Sequence, residues 1–231
     1  MRIAHTFSGL PRQWWMTAVP AALPVADCIT PAQLETWLGG GPGVLVRVGD
    51  EHWLQPEMLT GAKDLLVIDA RALWLDDVLT DGRHFHERHI AYLDQCPPDA
   101  FTAGMPWVLS GDAVVYQRFV AAIQPFFEGV LPLWFAGPAG SGHFLHAVLE
   151  LCRYRTLVQW QAWMGDYQAP TPERIAMMFR QDRHLLQQLL GLSEYFLQQQ
   201  TGIPANDTPA FALQLAQWCV DMLPKWLEAI Q

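Results

Sequence analysis

The chain is short of charge, and the charge it has is one-sided. Its 231 residues carry 14 Lys and Arg against 23 Asp and Glu, a formal net charge of −9, and only 16% of positions are charged. Phosphate backbones require a basic footprint, so this balance excludes nucleic-acid binding as a main function and disfavours docking on an anionic membrane surface. Cysteine is scarce as well. Cys28, Cys96, Cys152 and Cys219 lie far apart and form no CxxC, so no disulfide framework is expected and a reducing cytoplasmic setting fits. Cys152 and Cys219 fall on apolar helical faces and read as small buried hydrophobes. The N-terminus has no basic segment leading into an apolar one. The most apolar run, 114–137, is broken by Arg118, Gln124, Pro125 and Glu128, so membrane insertion is not expected. Internal repeats, low-complexity segments, a GxSxG elbow and an HExxH motif are all missing, and no acidic pair recommends itself for acid–base work.

What the chain has is apolar bulk. Hydrophobic residues make up 51% of it, and eleven are tryptophan. Indoles are large and their N–H groups want partners, so some of them belong at a domain seam or a partner surface rather than in a core. Trp14, Trp15, Trp218 and Trp226 are the candidates for protein contact. The length suits one large domain or an α/β domain with a helical annex.

The stretch from Leu131 to Tyr154 reads as apolar strand, glycine-rich turn and amphipathic helix, the unit from which helix-covered sheets are built. Others of its kind precede it. Thr30-Pro31-Ala32-Gln33 is a capping box with proline at the first helical position, followed by a short helix and a glycine stop. Val44 to Val48 and Asp64 to Asp69 are strands, the second apolar throughout, as for a strand covered on both faces. A helix carries Leu73, Trp74, Leu75, Val78 and Leu79; apolar runs follow at 90–93 and 107–109. Asp112 caps a helix running to Ile123, and Pro125 stops it. Leu131 to Ala136 is a strand, and Thr156 to Trp160 a possible last one. About six strands alternating with helices predict an α/β fold with a mostly parallel sheet flanked by helices. From Thr171 the period is helical to the end, with Phe211, Leu215, Trp218, Cys219 and Met222 facing inward on the last helix. The expected division is an α/β domain over 1–165, with the first 26 residues as an extended N-terminal arm, and a helical hairpin over 171–231, joined at 165–170.

Candidate chemistry is incomplete wherever it arises. Gly137-Pro138-Ala139-Gly140-Ser141-Gly142 lies between strand and helix, as a phosphate loop does. His143 and Phe144 stand where lysine and a hydroxyl would be needed, so nucleotide hydrolysis is not expected. Backbone N–H groups of Gly137, Gly140, Ser141 and Gly142 could still hold an anion, or the segment is a plain tight turn. His84, His86 and His89 in DGRHFHERH have a spacing that suits zinc or nickel, or they belong to a polar loop before a strand. No cofactor is required by any of these patterns.

Two resemblances follow from the residues. Thr30-Pro31-Ala32-Gln33-Leu34, Val67-Ile68-Asp69-Ala70-Arg71 and Arg88-His89-Ile90 resemble rhodanese-like sulfurtransferases. That family keeps its catalytic cysteine in the loop corresponding to 135–142, which here has none, so the resemblance implies an inactive relative. Read in order, Val67-Ile68-Asp69-Ala70, Tyr92-Leu93-Asp94, Pro98 to Phe101, Pro106-Trp107-Val108-Leu109, Leu133 to Ala139 and His143 to Arg153 resemble the bacterial type VI secretion effector-adaptor chaperones. That resemblance implies a non-enzymatic adaptor that holds a protein client and delivers it to a secretion complex. The competing expectation is an α/β enzyme, or an inactive anion-binding relative, using the Gly137–Gly142 loop.

Overall fold

Strands rich in Val, Leu and Ile on both faces demand cover on both faces, and that is how the sheet is built. In this computed structural model the described residues are 2–6, 25–27, 30–47, 54, 56–59, 61–62, 64–97, 107–126, 133–164, 172–200 and 210–229, with backbone alone at 156–164 and 172–179. The seven strands are β1 (Ile3–His5), β2 (Val25–Asp27), β3 (Gly43–Arg47), β4 (Leu65–Asp69), β5 (Ala91–Gln95), β6 (Trp107–Gly111) and β7 (Leu133–Gly137). They form one sheet in the order β2-β1-β3-β4-β5-β6-β7. Every neighbouring pair is parallel except β5 with β6. The expected α/β class with a mostly parallel, helix-flanked sheet is therefore the observed one.

Side chains alternate between two cores, as the period of two requires. One core gathers Ile3, Val44, Val46, Leu66, Ile68 and Leu93 with Phe119 and Ile123 from a covering helix. The other gathers Ala4, Leu45, Leu65, Val67 and Tyr92 with Leu34, Trp37, Leu59 and Phe85. The covering helices are α1 (Pro31–Leu38), α2 (Leu75–Glu87) and α3 (Ala113–Ile123). Thr30 caps α1 through its hydroxyl, which accepts from Gln33 N–H at 3.3 Å, and Asp112 caps α3 by accepting from Val114 and Val115 N–H. Phe85 is fully buried and stacks on Tyr92 with ring centroids 5.3 Å apart.

The chain divides into two compact units, Met1–His143 and Phe144–Gln231. The division falls inside helix α4 (Ser141–Met164); the linker expected at 165–170 lies outside the described residues. The second unit holds the rest of α4 with α5 (Pro172–Gln199) and α6 (Phe211–Ala229). Within it Phe144 stacks on Phe196 at 4.5 Å, and Arg155 forms a forked ion pair with Asp182 at 3.0 and 3.2 Å. No helix among the described residues is long and apolar enough to cross a membrane.

Several local expectations change. The N-terminal residues are not an arm throughout, because Ile3 to His5 form an interior strand and Val25 to Asp27 an edge strand. Residues 156–160 continue α4 rather than forming a strand. The histidine-bearing segment is helical to Glu87, since Val78 and Phe85 bury one face of α2 and Asp76 and Asp77 complement its N-terminal dipole. On α6 the buried stripe is Ala212, Ala216, Cys219 and Leu223, one residue round from the expected one, and Phe211 and Trp218 are exposed. Small residues win that face because they allow closer approach. Cys219 is buried as expected, but Cys152 is exposed.

Phe85 is the side chain whose loss the sheet unit should feel most clearly. Truncation by Phe85→Ala is expected to cost about 3–5 kcal/mol of unfolding free energy, read from the midpoint of urea denaturation; a loss below about 1 kcal/mol would contradict this packing.

Candidate functional site

Each apolar strand in the middle of the sheet carries a polar residue at its last or next-to-last position, and the pairing register brings those residues into one row. Arg47 of β3 pairs with Asp69 of β4, Asp69 with Asp94 of β5, Asp94 with Ser110 of β6, and Ser110 with Gly137 of β7. Arg47, Asp69, Asp94 and Ser110 are all buried. Buried charge is costly unless paired and hydrogen-bonded, and here it is both.

Asp69 is the hub. Its Oδ1 accepts from Arg71 Nε at 2.8 Å and its Oδ2 from Arg71 Nη2 at 2.6 Å, the two-pronged geometry that guanidinium and carboxylate share. The backbone N–H of Arg71 also donates to Oδ1 at 3.2 Å, and the Tyr92 hydroxyl to Oδ2 at 3.4 Å. Arg47 approaches from the other side, with Nη1 3.9 Å from Asp69 Oδ2 and 3.5 Å from Asp81 Oδ2, and donates through Nη2 to the Leu54 carbonyl at 3.2 Å. Asp81, on α2, also pairs with Arg71. Burial opposes ionisation of Asp69, but the hydrogen bond and charge of Arg71, with Arg47 and His143, more than reverse this and hold its carboxyl below the usual range. Burial also opposes the charge on Arg71, and Asp69 and Asp81 overcome it, so its pKa is raised. Burial first, and then the charges of Asp69 and Asp94, push the Tyr92 phenol far up, so it acts as a donor.

Asp94 anchors the second half of the row. Its Oδ1 accepts from the backbone N–H of Gly140 at 2.8 Å. Its Oδ2 accepts from Ser110 Oγ at 2.6 Å, and that hydroxyl in turn accepts from Gly142 N–H at 2.7 Å. His143 places Nδ1 3.3 Å from Asp94 Oδ2 and Nε2 2.8 Å from the Arg71 carbonyl. Both partners are acceptors, so both ring nitrogens carry protons and the ring is an imidazolium. Burial opposes that charge; the Asp94 hydrogen bond and charge, the Arg71 carbonyl and Asp69 outweigh it and raise the pKa. With His143 charged, Arg47, Arg71 and His143 balance Asp69, Asp81 and Asp94. A ring with both nitrogens committed has no lone pair for a substrate proton, so in this state His143 positions and does not act as a base.

The Gly137–Gly142 turn is thus occupied from within. Gly140 and Gly142 direct their N–H groups to Asp94 and Ser110, and Ser141 N–H to the Pro138 carbonyl. The anion this turn holds is the Asp94 carboxylate. Packing is tight: a Cβ on Gly142 would stand 2.8 Å from the Cys96 nitrogen, and one on Gly140, at φ +87°, 2.8 Å from Leu75 Cδ1. The Ser141 hydroxyl and Arg47 Nε are buried without a hydrogen-bond partner.

The remaining sequence candidates do not join this row. His84 and His86 are two apart on α2, on divergent faces, and His89 follows in a left-handed turn at φ 56°. No group of three metal-binding side chains occurs among the described residues. Trp218 and Trp226 are exposed in the second unit and meet edge to face at 5.4 Å; Trp14 and Trp15 lie outside the described residues. Sequence reading passed over Arg47, Asp81 and Ser110. The available signal was the repeated strand ending, Val46-Arg47, Ile68-Asp69, Leu93-Asp94 and Leu109-Ser110.

No protein-family model and no curated protein matches the chain. Solved structures do. An imine reductase variant from Myxococcus stipitatus in complex with NAD+ superposes with a TM-score of 0.55 at 11% identity, covering 99% of this chain and 94% of that one. The Myxococcus stipitatus imine reductase with NADP+ gives 0.54 at 12% identity, covering 99% and 95%. The imine reductase of Bacillus cereus BAG3X2 gives 0.53 at 8%, covering 99% and 94%. The chain therefore has the fold of these imine reductases. That overturns both resemblances read from the sequence: the neighbours are neither secretion adaptors nor rhodaneses, and two of them are complexes with a dinucleotide, not with a protein client. The adaptor function and the secretion-complex partner are withdrawn with them. The matched apolar motifs are those any parallel α/β sheet needs, which is why they misled.

Replacing the hub by Asp69→Asn would leave Asp81 as the one carboxylate facing both Arg47 and Arg71 and is expected to cost about 3–5 kcal/mol of stability, measured by urea unfolding. His143 gives a pH signature. Its folded pKa is raised above 6.5, so its contribution is complete below that value and is lost as pH rises through the folded pKa. The stability difference between the native chain and His143→Gln should therefore shrink as pH rises above 6.5, through the raised folded pKa of His143; a difference that grows would contradict the imidazolium assignment.

Proposed function

We propose that the chain is an α/β enzyme of the NAD(P)-linked oxidoreductase kind, acting on a small molecule, with its cofactor crevice at the C-terminal edge of β1, β2 and β3. One observation carries this reading. The fold match to an imine reductase runs over 99% of this chain and 94% of that one at a TM-score of 0.55, so it takes in both compact units and not a shared sheet motif alone. The strand order supports that location: the sheet extends from β1 to β2 on one side and to β3 on the other. Open α/β sheets bind ligands in the crevice at such a switch point.

The residues fit a nicotinamide dinucleotide at its ribose end. β2 ends on Asp27, whose side chain is half exposed, about 20 residues beyond β1, where a carboxylate accepts ribose hydroxyls. They depart from it at the pyrophosphate. The segment after β1 reads Thr6-Phe7-Ser8-Gly9-Leu10-Pro11, without the G-x-G-x-x-G spacing that lets backbone close on phosphate. A bound nicotinamide supplies a hydride donor or acceptor. The chain's own part is to hold and orient: Asp27 takes the ribose, and the Arg47–Asp69–Arg71 network fixes the adjoining ends of β3 and β4. A cytoplasmic location belongs to the same proposal and is supported by a sequence with four widely spaced cysteines and no CxxC.

The test is thermal unfolding of the purified chain with NADH or NADPH, alongside dinucleotide turnover on a panel of imines and hydroxy acids. A ligand at about 100 times its Kd adds about 2.7 kcal/mol to stability, so the midpoint should rise with at least one dinucleotide and absorbance should change with at least one substrate. No shift and no turnover with either would contradict the reading.

A further inference from the structure

We propose that Trp74 is the stacking surface of a binding site for a flat cationic ring, on the loop that leads from β4 into α2. The inference goes beyond the oxidoreductase reading and does not rest on it. Trp74 is 83% exposed, more than any other large hydrophobic side chain among the described residues. It also stands at the N-cap of α2 and makes no side-chain cap hydrogen bond, at a position where Ser, Thr, Asp or Asn would satisfy an N–H of the first turn. The residue therefore forgoes both a cap and the burial of an indole. Two local rules broken at one position, with no gain to the fold, mark a residue kept for function.

The exposure is not that of a loose loop. Ala70 N–H donates to the Arg47 carbonyl at 2.7 Å, and Leu73 N–H to the Arg71 carbonyl at 3.0 Å. The Arg71 side chain is held by Asp69 and Asp81, and its carbonyl by His143 Nε2 at 2.8 Å. On the far side the Trp74 carbonyl accepts from Asp77 and Val78 N–H at 3.1 and 3.2 Å, and Leu75 is buried. The backbone under the indole is thus fixed at both ends, and a pre-ordered aromatic loses little freedom when a ring stacks on it. Charge then selects the ligand. Asp76 and Asp77 lie in the first turn of α2 and are exposed, and two carboxylates outweigh the half positive charge of a helix start. Asp77 comes three residues after the N-cap, where a side chain faces the cap residue. Arg71, the guanidinium closest in sequence, is paired with Asp69 and Asp81. An indole face attracts a cation through its quadrupole, more strongly than tyrosine or phenylalanine does, and a carboxylate beside it adds to the attraction. A flat cation answers to both groups; an anionic ring is repelled by one of them.

The experiment is equilibrium dialysis of the full chain against three rings of similar outline: N-methylquinolinium, a cation; quinoline, neutral at pH 7; and 2-naphthoate, an anion. It is repeated on Trp74→Ser and Asp77→Asn, with urea unfolding of each variant. The native chain should bind the cation at least about fivefold tighter than the neutral ring, and the anion most weakly. Trp74→Ser should weaken binding of the cation at least about tenfold and, because serine caps a helix, leave the urea midpoint unchanged or raise it. Asp77→Asn should narrow the gap between cation and neutral ring. Three results would each overturn the proposal: no binding of the cation by the native chain, equal binding of cation and neutral ring, or undiminished binding in Trp74→Ser. A lowered urea midpoint in Trp74→Ser would also count against it, by giving the indole a structural role. None of these readouts involves a dinucleotide, so the oxidoreductase reading stands or falls separately.

Discussion

A carboxylate with no exposure to water, gripped by two guanidiniums, governs the working edge of this sheet. Arg71 first and then Arg47 hold Asp69 ionised against its burial, and Asp69 with Asp81 supplies the counter-charge that lets both cations sit at the buried ends of β3 and β4. The partners come from β3, from the residues just past β4, and from α2 through Asp81. One ion cluster therefore fixes the positions of two strand ends and the helix that covers them. Next to it, Asp94 repeats the device with two neutral donors, a serine hydroxyl and a glycine N–H, and one imidazolium.

This arrangement explains what the glycine-rich turn is for. A turn that exposes N–H groups at a helix start attracts negative charge, and Asp94 provides that charge from the neighbouring strand. The glycines at 140 and 142 are needed because Leu75 and the backbone at Cys96 stand where a Cβ would go. The turn is a clamp between β5 and the start of α4. The crevice proposed at the β1–β3 switch point lies on the side of the ion cluster where β1 and β2 end on His5 and Asp27.

Much of the fold was legible in the sequence. The Thr30 capping box, the Asp112 cap, the apolar strands and the glycine turn each act through residues close together in the chain. β1 and β2 were not legible, since three residues such as Ile3-Ala4-His5 are too few to show a period of two. The end of α2 was misread because polar DGRHFHE carries only Phe85 inward. The site was hidden for a different reason. Arg47, Asp69, Asp94 and Ser110 are dispersed along the chain, and only strand register brings them into a row. Motif order between Leu65 and Tyr154 pointed to the wrong families because apolar strand and turn patterns report architecture, whereas function lies in the polar residues at strand ends.

The proposed function places a dinucleotide crevice at the β1–β3 switch point, bordered by Asp27 and braced by the Asp69 cluster. A crystal structure of the chain grown with NAD+ tests this most directly. The account predicts the dinucleotide across the C-terminal ends of β2, β1 and β3, the adenosine ribose within hydrogen-bond distance of Asp27, and Asp69 forked to Arg71. A dinucleotide bound at the Gly137–Gly142 turn, or an Asp69 carboxylate open to solvent and free of both arginines, would contradict it.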